Sequence, residues 1–268
     1  FTGRVIDQKF EEVYQLAADM GGAGFIFTGD NDADIMQNSS LINLNVLDTS
    51  YKRNIKNIFY SSSACIYPEY NQMDPENPKC SEDSAYPADP DSEYGWEKLF
   101  SERLYLSYQR NYNINVRIGR FHNIYGPLGT WKGGREKAPA AICRKVINAI
   151  IKKSDTIDVW GDGEQTRSFL YIDDCIKGTL DVFNGNSSEV FNVGSEEQVS
   201  INQMIEMIED IADYKVKKNY QLDKPKGVRG RSSNNSLIRE KIKWDSGTTL
   251  KEGLRLTYDW IYSQMTSR

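Results

Sequence analysis

Two short runs carry the residue types that can move a proton on or off a hydroxyl: Ser61-Ser62-Ser63-Ala64-Cys65-Ile66-Tyr67 and Ser92-Glu93-Tyr94-Gly95-Trp96-Glu97-Lys98. Tyr94 and Lys98 are four residues apart in a helical pattern, so they share one helix face. A lysine ammonium beside a tyrosine hydroxyl favours the phenolate and is expected to draw its pKa down. A strand-end serine such as Ser63 can hydrogen-bond the same substrate oxygen. Together they make a base for taking a proton from an alcohol. Each feature alone is ordinary, since Tyr/Lys pairs at this spacing and serine-rich turns are common. Their combination within an alternating strand and helix pattern is what favours chemistry.

The elements that must position these groups are legible around them. Asn57-Ile58-Phe59-Tyr60 reads as a buried parallel strand, which puts the serine run at the strand's carboxyl end, where open α/β sheets bind ligands. Upstream, residues 10–17 read as a short strand running into the turn Ala18-Asp19-Met20-Gly21-Gly22, and 31–51 as a helix. The polar stretch 67–90 is expected to be a lid or binding loop. A helix over 92–112 and a strand over 114–118 follow, and strand-helix alternation predicts a parallel sheet with crossover helices.

Beyond a cationic glycine loop at 129–137, Pro139 belongs in the first turn of a helix over 140–152. Strands are expected at 157–160, 168–172 and 190–193, with Asp173 or Asp174 capping a helix that runs to Phe183. Ser200 and Gln203 form a capping box, and a last helix spans 250–264. The fold class is therefore α/β: a Rossmann-like doubly wound parallel sheet, lacking its first strands, with a smaller C-terminal α/β lobe. Residues 1–128 are assigned to the cofactor half and 129–268 mainly to a substrate lobe, with about 156–195 returning to the sheet.

Composition narrows the partners. The 268 residues carry a formal charge of −5 with no Lys/Arg block, which argues against nucleic acid. No stretch approaches about 18 consecutive apolar residues, so no membrane span is expected. Cys65, Cys80, Cys143 and Cys175 form no close pair, which suits reduced thiols in the cytoplasm. A single histidine, His122, argues against a multi-His zinc site, and no metal is expected. Arg167 and Arg231 suit an anion, whereas Lys224 and Lys226 read as solvated surface.

A dinucleotide site should open with a strand, a Gly-x-Gly-x-x-Gly turn, a helix and an acidic residue about 20 positions on. None of this is present, and Gly21-Gly22-Ala23-Gly24 does not substitute for it. The expectation is a chain without that first part, with an exposed apolar sheet edge and weak hold on NAD.

These runs, with Gly129-Thr130-Trp131-Lys132-Gly133-Gly134-Arg135-Glu136-Lys137-Ala138-Pro139, Trp160-Gly161-Asp162-Gly163, Gln165-Thr166-Arg167 and Val228-Arg229-Gly230-Arg231, resemble the extended short-chain dehydrogenase/reductase superfamily of nucleotide-sugar enzymes. Within it, the resemblance is to members that invert GDP-mannose at C3 and C5. It implies NAD as cofactor, held by Ala17, Ala18, Ser61, Ser62, Tyr94, Lys98 and Phe121. It implies a nucleotide-sugar substrate touched by Gly21, Ser63, Ala64, Cys65, Asn123, Glu136, Lys137, Ala138, Lys145, Gln165, Thr166, Arg167 and Arg231, with the arginines facing the pyrophosphate. Catalysis would fall to Tyr94, Lys98 and Ser63 at C4, with Cys65 as base and Lys137 as acid at the neighbouring carbons. Cys65 then needs a nearby cation to be a thiolate, and Lys137 is the candidate; the bland alternative is a small buried residue after a strand. The superfamily also implies a homodimer built on helix 92–112. A 4,6-dehydratase would want an Asp-Glu pair where Ala64 and Cys65 stand. A plain 4-epimerase leaves Cys65 and Lys137 unexplained. A non-catalytic nucleotide-sugar-binding or structural fragment is the reading of another class, and retained cofactor after gentle purification separates it.

Overall fold

The computed structural model describes residues 10–224 and 227–267. Its centre is a four-stranded, all-parallel sheet in the order β1 (Glu12–Gln15), β2 (Asn57–Ser63), β3 (Asn115–Phe121), β8 (Val190–Val193). β2 is buried along almost its whole length, as its continuous apolar run requires. Alternate residues of β2 serve two cores. Ile58 and Tyr60 join Leu47 and Tyr105 under helices α2 (Asp32–Lys52) and α3 (Glu93–Tyr112). Phe59 joins Phe183, Phe191 and Trp244 on the opposite face, under α5 (Ile172–Asn184). Helices on both faces of a parallel sheet are the doubly wound arrangement. Among the described residues β1 is one of the two edge strands, with Tyr14 37% exposed and Leu16, just past its end, 55%.

The second half has its own core. α4 (Ala138–Lys152), α6 (Ile201–Ala212) and α8 (Leu250–Thr266) pack through Val146, Ile147, Met204, Ile208, Leu254 and Ile261. Short strands ring this core: β5 (Thr156–Trp160) pairs with β10 (Lys217–Gln221), β4 (Ile124–Tyr125) with β7 (Leu170–Tyr171), and β6 (Thr166–Ser168) lies between β9 (Gln198–Ser200) and β11 (Gly230–Arg231). The capping box at Ser200 and Gln203 is formed, and a second one at Thr249 and Glu252 starts α8.

Two expectations are corrected. The residue before α5 is Tyr171, so Asp173 and Asp174 lie inside the first turn, not at the cap. There they suit the positive end of the helix dipole, and Asp174 also accepts from the Thr248 backbone N–H at 2.8 Å. Residues 67–90 are a packed element rather than a lid. Tyr67, Cys80 and Ala85 join a core with Leu99, and the Arg120 guanidinium donates to the Glu82 carbonyl at 2.8 Å. The glycine turn leads into a one-turn helix, α1 (Ala23–Ile26). Between these elements lies α7 (Ser236–Ile242). Lys226 lies outside the described residues.

Candidate active site

Local capping explains why the two chemical runs meet. After Ser63, β2 gives way to one 3-10 turn, Ala64–Ile66, capped by the Ser63 Oγ accepting from the Cys65 N–H at 3.2 Å. α3 starts at the Ser92 Oγ, which accepts from the Gly95 N–H at 3.3 Å. A Cβ at Gly95 would lie 2.2 Å from the Cys65 carbonyl oxygen, so only glycine lets the first turn of α3 close on the strand end. That approach brings Tyr94 into hydrogen bonding with Ser63 and into the field of Cys65.

Tyr94 does not follow the expectation drawn from its spacing to Lys98. Burial pushes its hydroxyl well above the usual tyrosine value, and Cys65 pushes the same way, against the Ser63 hydrogen bond. Lys98 Nζ lies 5.8 Å from the Tyr94 ring centroid and donates to the Ser61 carbonyl at 2.8 Å. Burial draws Lys98 itself down to about 8. Desolvation therefore outweighs the pull of lysine on the phenol.

Lys137 was expected to be the cation beside Cys65; the cation in contact is Arg231. One guanidinium nitrogen donates to Cys65 Sγ at 3.1 Å, the other to Asp91 Oδ2 at 3.1 Å, and Nε to Gln72 Oε1 at 2.5 Å. β11 runs parallel to β6 and leaves Arg231 only 4% exposed, with its guanidinium in the interior of the site. Lys137 acts on Cys65 at longer range. It is the N-cap of α4, its ammonium makes no hydrogen bond to a described residue, and its pKa is lowered by burial, against the attraction of Cys65.

The loop carrying Lys137 is fastened to the glycine turn. The Gly22 N–H donates to the Arg135 carbonyl at 3.0 Å, and a Cβ at Gly22 would lie 2.3 Å from the Glu136 carbonyl oxygen. Arg135 pairs with Asp19 at 2.9 Å and lies 3.9 Å from the Phe25 ring centroid. Glu136 is engaged by Arg144 at 2.5 Å and by the Gly134 N–H at 2.7 Å.

The remaining predicted residues fall into two groups. Near the strand ends, the Ser61 hydroxyl donates to the Gln15 carbonyl at 3.1 Å, Ala17 is tied to the Gln15 side chain, Ala18 follows it, and Phe121 packs on Phe59. Ser62 is turned away, donating to Glu102 in a buried pair with Arg120, so its hydroxyl is committed to structure. In the second group Gly21 packs on Phe25, Asn123 donates to the Ser168 carbonyl, Ala138 opens α4 and Ala64 is buried. Lys145 donates to the Asp158 carbonyl, Thr166 to the Pro75 carbonyl, and Arg167 to the Thr166 and Val228 carbonyls. Gln165 Oε1 is buried without a partner among the described residues. Burial lowers Arg167 to about 9, with Arg231 adding to this, while Asp91 and Cys65 oppose it, which places it beside the cluster. Gln72 and Asp91 escape sequence reasoning, since both lie in a Pro- and Asp-rich stretch with no periodic pattern.

The donor set fits the nicotinamide end of NAD. Lys98 is 2% exposed and gives one hydrogen bond to a described residue, which leaves two ammonium donors suited to a vicinal diol. Among the described residues, no group of three or more His, Cys, Asp or Glu side chains is placed to hold a metal ion.

Residues 2–194 match the sequence model of the NAD dependent epimerase/dehydratase family. The chain belongs to this family. It is 47% identical over 260 residues to GDP-mannose 3,5-epimerase of Arabidopsis thaliana, covering 97% of this chain and 67% of that protein. GDP-mannose 3,5-epimerase 1 of Oryza sativa subsp. japonica is 48% identical, with 95% and 65% covered. The chain thus spans about two thirds of the length of these relatives. Among solved structures, UDP-glucuronic acid 4-epimerase of Bacillus cereus, in complex with UDP-glucuronic acid and NAD, superposes with a TM-score of 0.78 at 27% identity, covering 96% of this chain and 76% of that one. UDP-glucose 4-epimerase of Thermotoga maritima shares the fold, with a TM-score of 0.80 at 24% identity over 95% of this chain and 78% of that one. The Rossmann-like fold and the NAD cofactor of the family apply to this chain.

Proposed function

We propose that the chain carries the active site of an NAD-dependent epimerase that inverts GDP-mannose at C3 and C5, giving GDP-L-galactose and GDP-L-gulose. One observation carries the reading: Cys65 packs against the cluster that holds Tyr94, its sulfur accepts from Arg231 at 3.1 Å, and Lys137 lies within its electrostatic reach. Inversion beside a transiently oxidised carbon needs three such proton-transfer groups. The GDP-mannose 3,5-epimerase relatives support it.

NAD, when bound, supplies a reversible two-electron oxidation at C4 of the sugar. Lys98 and the carboxyl ends of β1, β2 and β3 would hold it. Tyr94, hydrogen-bonded with Ser63, takes the C4 hydroxyl proton and later returns it. With C4 at the ketone level, the C–H bonds at C3 and C5 are acidic, because the electron pair left behind spreads onto the C4 oxygen. Cys65 Sγ takes that proton as a thiolate stabilised by Arg231. Lys137 Nζ delivers a proton to the opposite face, and its burial makes it the better donor. Each inversion moves one proton off and one on, so the sugar keeps its composition. Arg167 and Gln165, with their neighbours on β6, are assigned to the nucleotide side.

Residues 1–128 form the cofactor half in this reading, and 129–268 mainly the nucleotide-sugar half. No helix among the described residues is long and apolar enough to cross a membrane, and the four cysteines are free, which supports a cytoplasmic enzyme. A homodimer is part of the proposal. α2 and α3 pack together and leave Leu41, Leu44, Tyr51, Trp96, Phe100 and Tyr112 between 41% and 50% exposed. Sedimentation should give a dimer, and Phe100→Glu a monomer.

A plain 4-epimerase would leave Cys65 and Lys137 without a role. The test is to incubate the chain with GDP-mannose and NAD and to separate the nucleotide sugars by chromatography. Two new epimers are expected; a single C4 epimer would turn the reading to 4-epimerisation.

A further inference from the structure

The proton-transfer roles above do not explain why Arg231 is gripped from two more sides. Its ion pair with Asp91 is buried, both side chains being 5% exposed. Gln72 is fully buried, and its amide nitrogen donates to the Tyr67 and Pro68 carbonyls at 3.0 and 3.2 Å. Those bonds fix the Gln72 oxygen toward Arg231 Nε. Asp91 also accepts from the hydroxyl of Ser92, the cap of α3, at 3.3 Å. The start of the helix that bears Tyr94 is thus tied to the guanidinium that touches the Cys65 sulfur.

A carboxylate in contact with a buried guanidinium cancels much of the field that a third group feels. Cys65 is faced by Arg231, Arg167, Lys98 and Lys137 on the cationic side and by Tyr94. Asp91 is the carboxylate that Arg231 pairs with. A thiolate held too firmly by cations is a weak base, because basicity falls with the pKa of the conjugate acid.

We propose that Asp91, supported by Gln72, is a positioning residue for the base: it aims Arg231 at the Cys65 sulfur and limits the positive charge that sulfur sees. The proposal rests on the reading of Cys65 as the base at C3 and C5. The test therefore reads the thiol directly and not turnover.

Cys80, Cys143 and Cys175 are 2%, 0% and 4% exposed, so Cys65 is the accessible thiol for iodoacetamide. Alkylation of the folded chain is followed by mass spectrometry at one pH on the rising limb of the wild-type rate–pH profile, where the rate follows the thiolate fraction. Asp91→Asn keeps the shape and removes the charge, and should speed alkylation of Cys65 by about three- to tenfold. Gln72→Glu sets a second carboxylate on Arg231 and should slow it by a similar factor. Opposite signs are the signature, because a clamp that only holds structure would shift both variants the same way or neither. A wild-type rate in folded Asp91→Asn, or an unchanged or faster rate in Gln72→Glu, overturns the proposal. If Asp91→Asn does not fold, the Gln72→Glu rate decides alone. Should alkylation respond as expected while Cys65→Ser retains sugar proton exchange, the clamp stands and the assignment of the base fails.

Discussion

Arg231 donates a hydrogen bond from its guanidinium to the Cys65 sulfur at 3.1 Å, across 166 positions of sequence. That contact joins a two-residue strand of the second lobe to the end of β2 in the first. It sets the Cys65 thiol against a buried cation, and the consequences for the proposed base can be measured.

Cys65→Ser keeps the size of the side chain and loses the thiolate. Exchange of the sugar C3 and C5 protons with solvent should fall by about 10²-fold or more, the scale of a lost acid/base group. Oxidation at C4 should persist, seen as slow build-up of the near-ultraviolet absorbance of reduced nicotinamide. Exchange at the wild-type rate would remove Cys65 from the base role.

Tyr94→Phe deletes only the hydroxyl that meets Ser63. Both C4 oxidation and C3/C5 exchange should drop, by about 10²- to 10⁴-fold. Appreciable reduced nicotinamide in this variant would show that another group handles the C4 proton.

Gly22→Ala places a methyl against the Glu136 carbonyl oxygen, closer than two unbonded atoms can approach. The loop must shift, and Lys137 with it. Overpacking of this kind costs about 1–3 kcal/mol of stability, so the variant should fold with a lowered Tm. Its epimerisation should fall far more than its C4 oxidation. Equal losses in the two would mean that the turn supports Tyr94 rather than Lys137.

His122 is the one histidine and is fully buried, which draws its pKa down to about 3 against the hydrogen bond to Asn192. An unfolded histidine takes up a proton near pH 6.5. Between those values the unfolded chain binds more protons than the folded one, so stability rises with pH across this window. The contribution is complete above about pH 6.5 and is lost as the pH falls toward about 3. Proton NMR should show one imidazole whose shifts stay flat between about pH 5 and 8. A midpoint near 6.5 would contradict a buried neutral ring, and with it the view of His122 as an orienting residue and not a proton carrier.

How far the sequence reaches depends on range. Ser92, Ser200 and Gln203 act within one helical turn, so their caps follow from spacing alone, and the apolar run before Ser61 is a buried strand as its composition requires. Tyr94 and Lys98 share a helix, yet their electrostatics could not be read from their spacing, because burial by distant elements dominates both. Arg231 was legible as an anion-seeking residue but not as the partner of Cys65. Its placement depends on β11 pairing with β6 and on the packed stretch 67–90, contacts that local patterning does not encode. Gln72 and Asp91 carry no sequence signal, because an amide and a carboxylate in a polar loop look like solvated surface until Arg231 is set between them.

As a 3,5-epimerase, this site must exchange protons at C3 and C5 of a GDP-hexose. The most direct measurement incubates GDP-mannose with the chain and NAD in heavy water and locates deuterium on the recovered sugar by proton NMR. Deuterium at both C3 and C5, with none gained at C4, is the predicted result. Recovered sugar that has been oxidised and reduced at C4 yet carries no label at C3 or C5 would contradict the account.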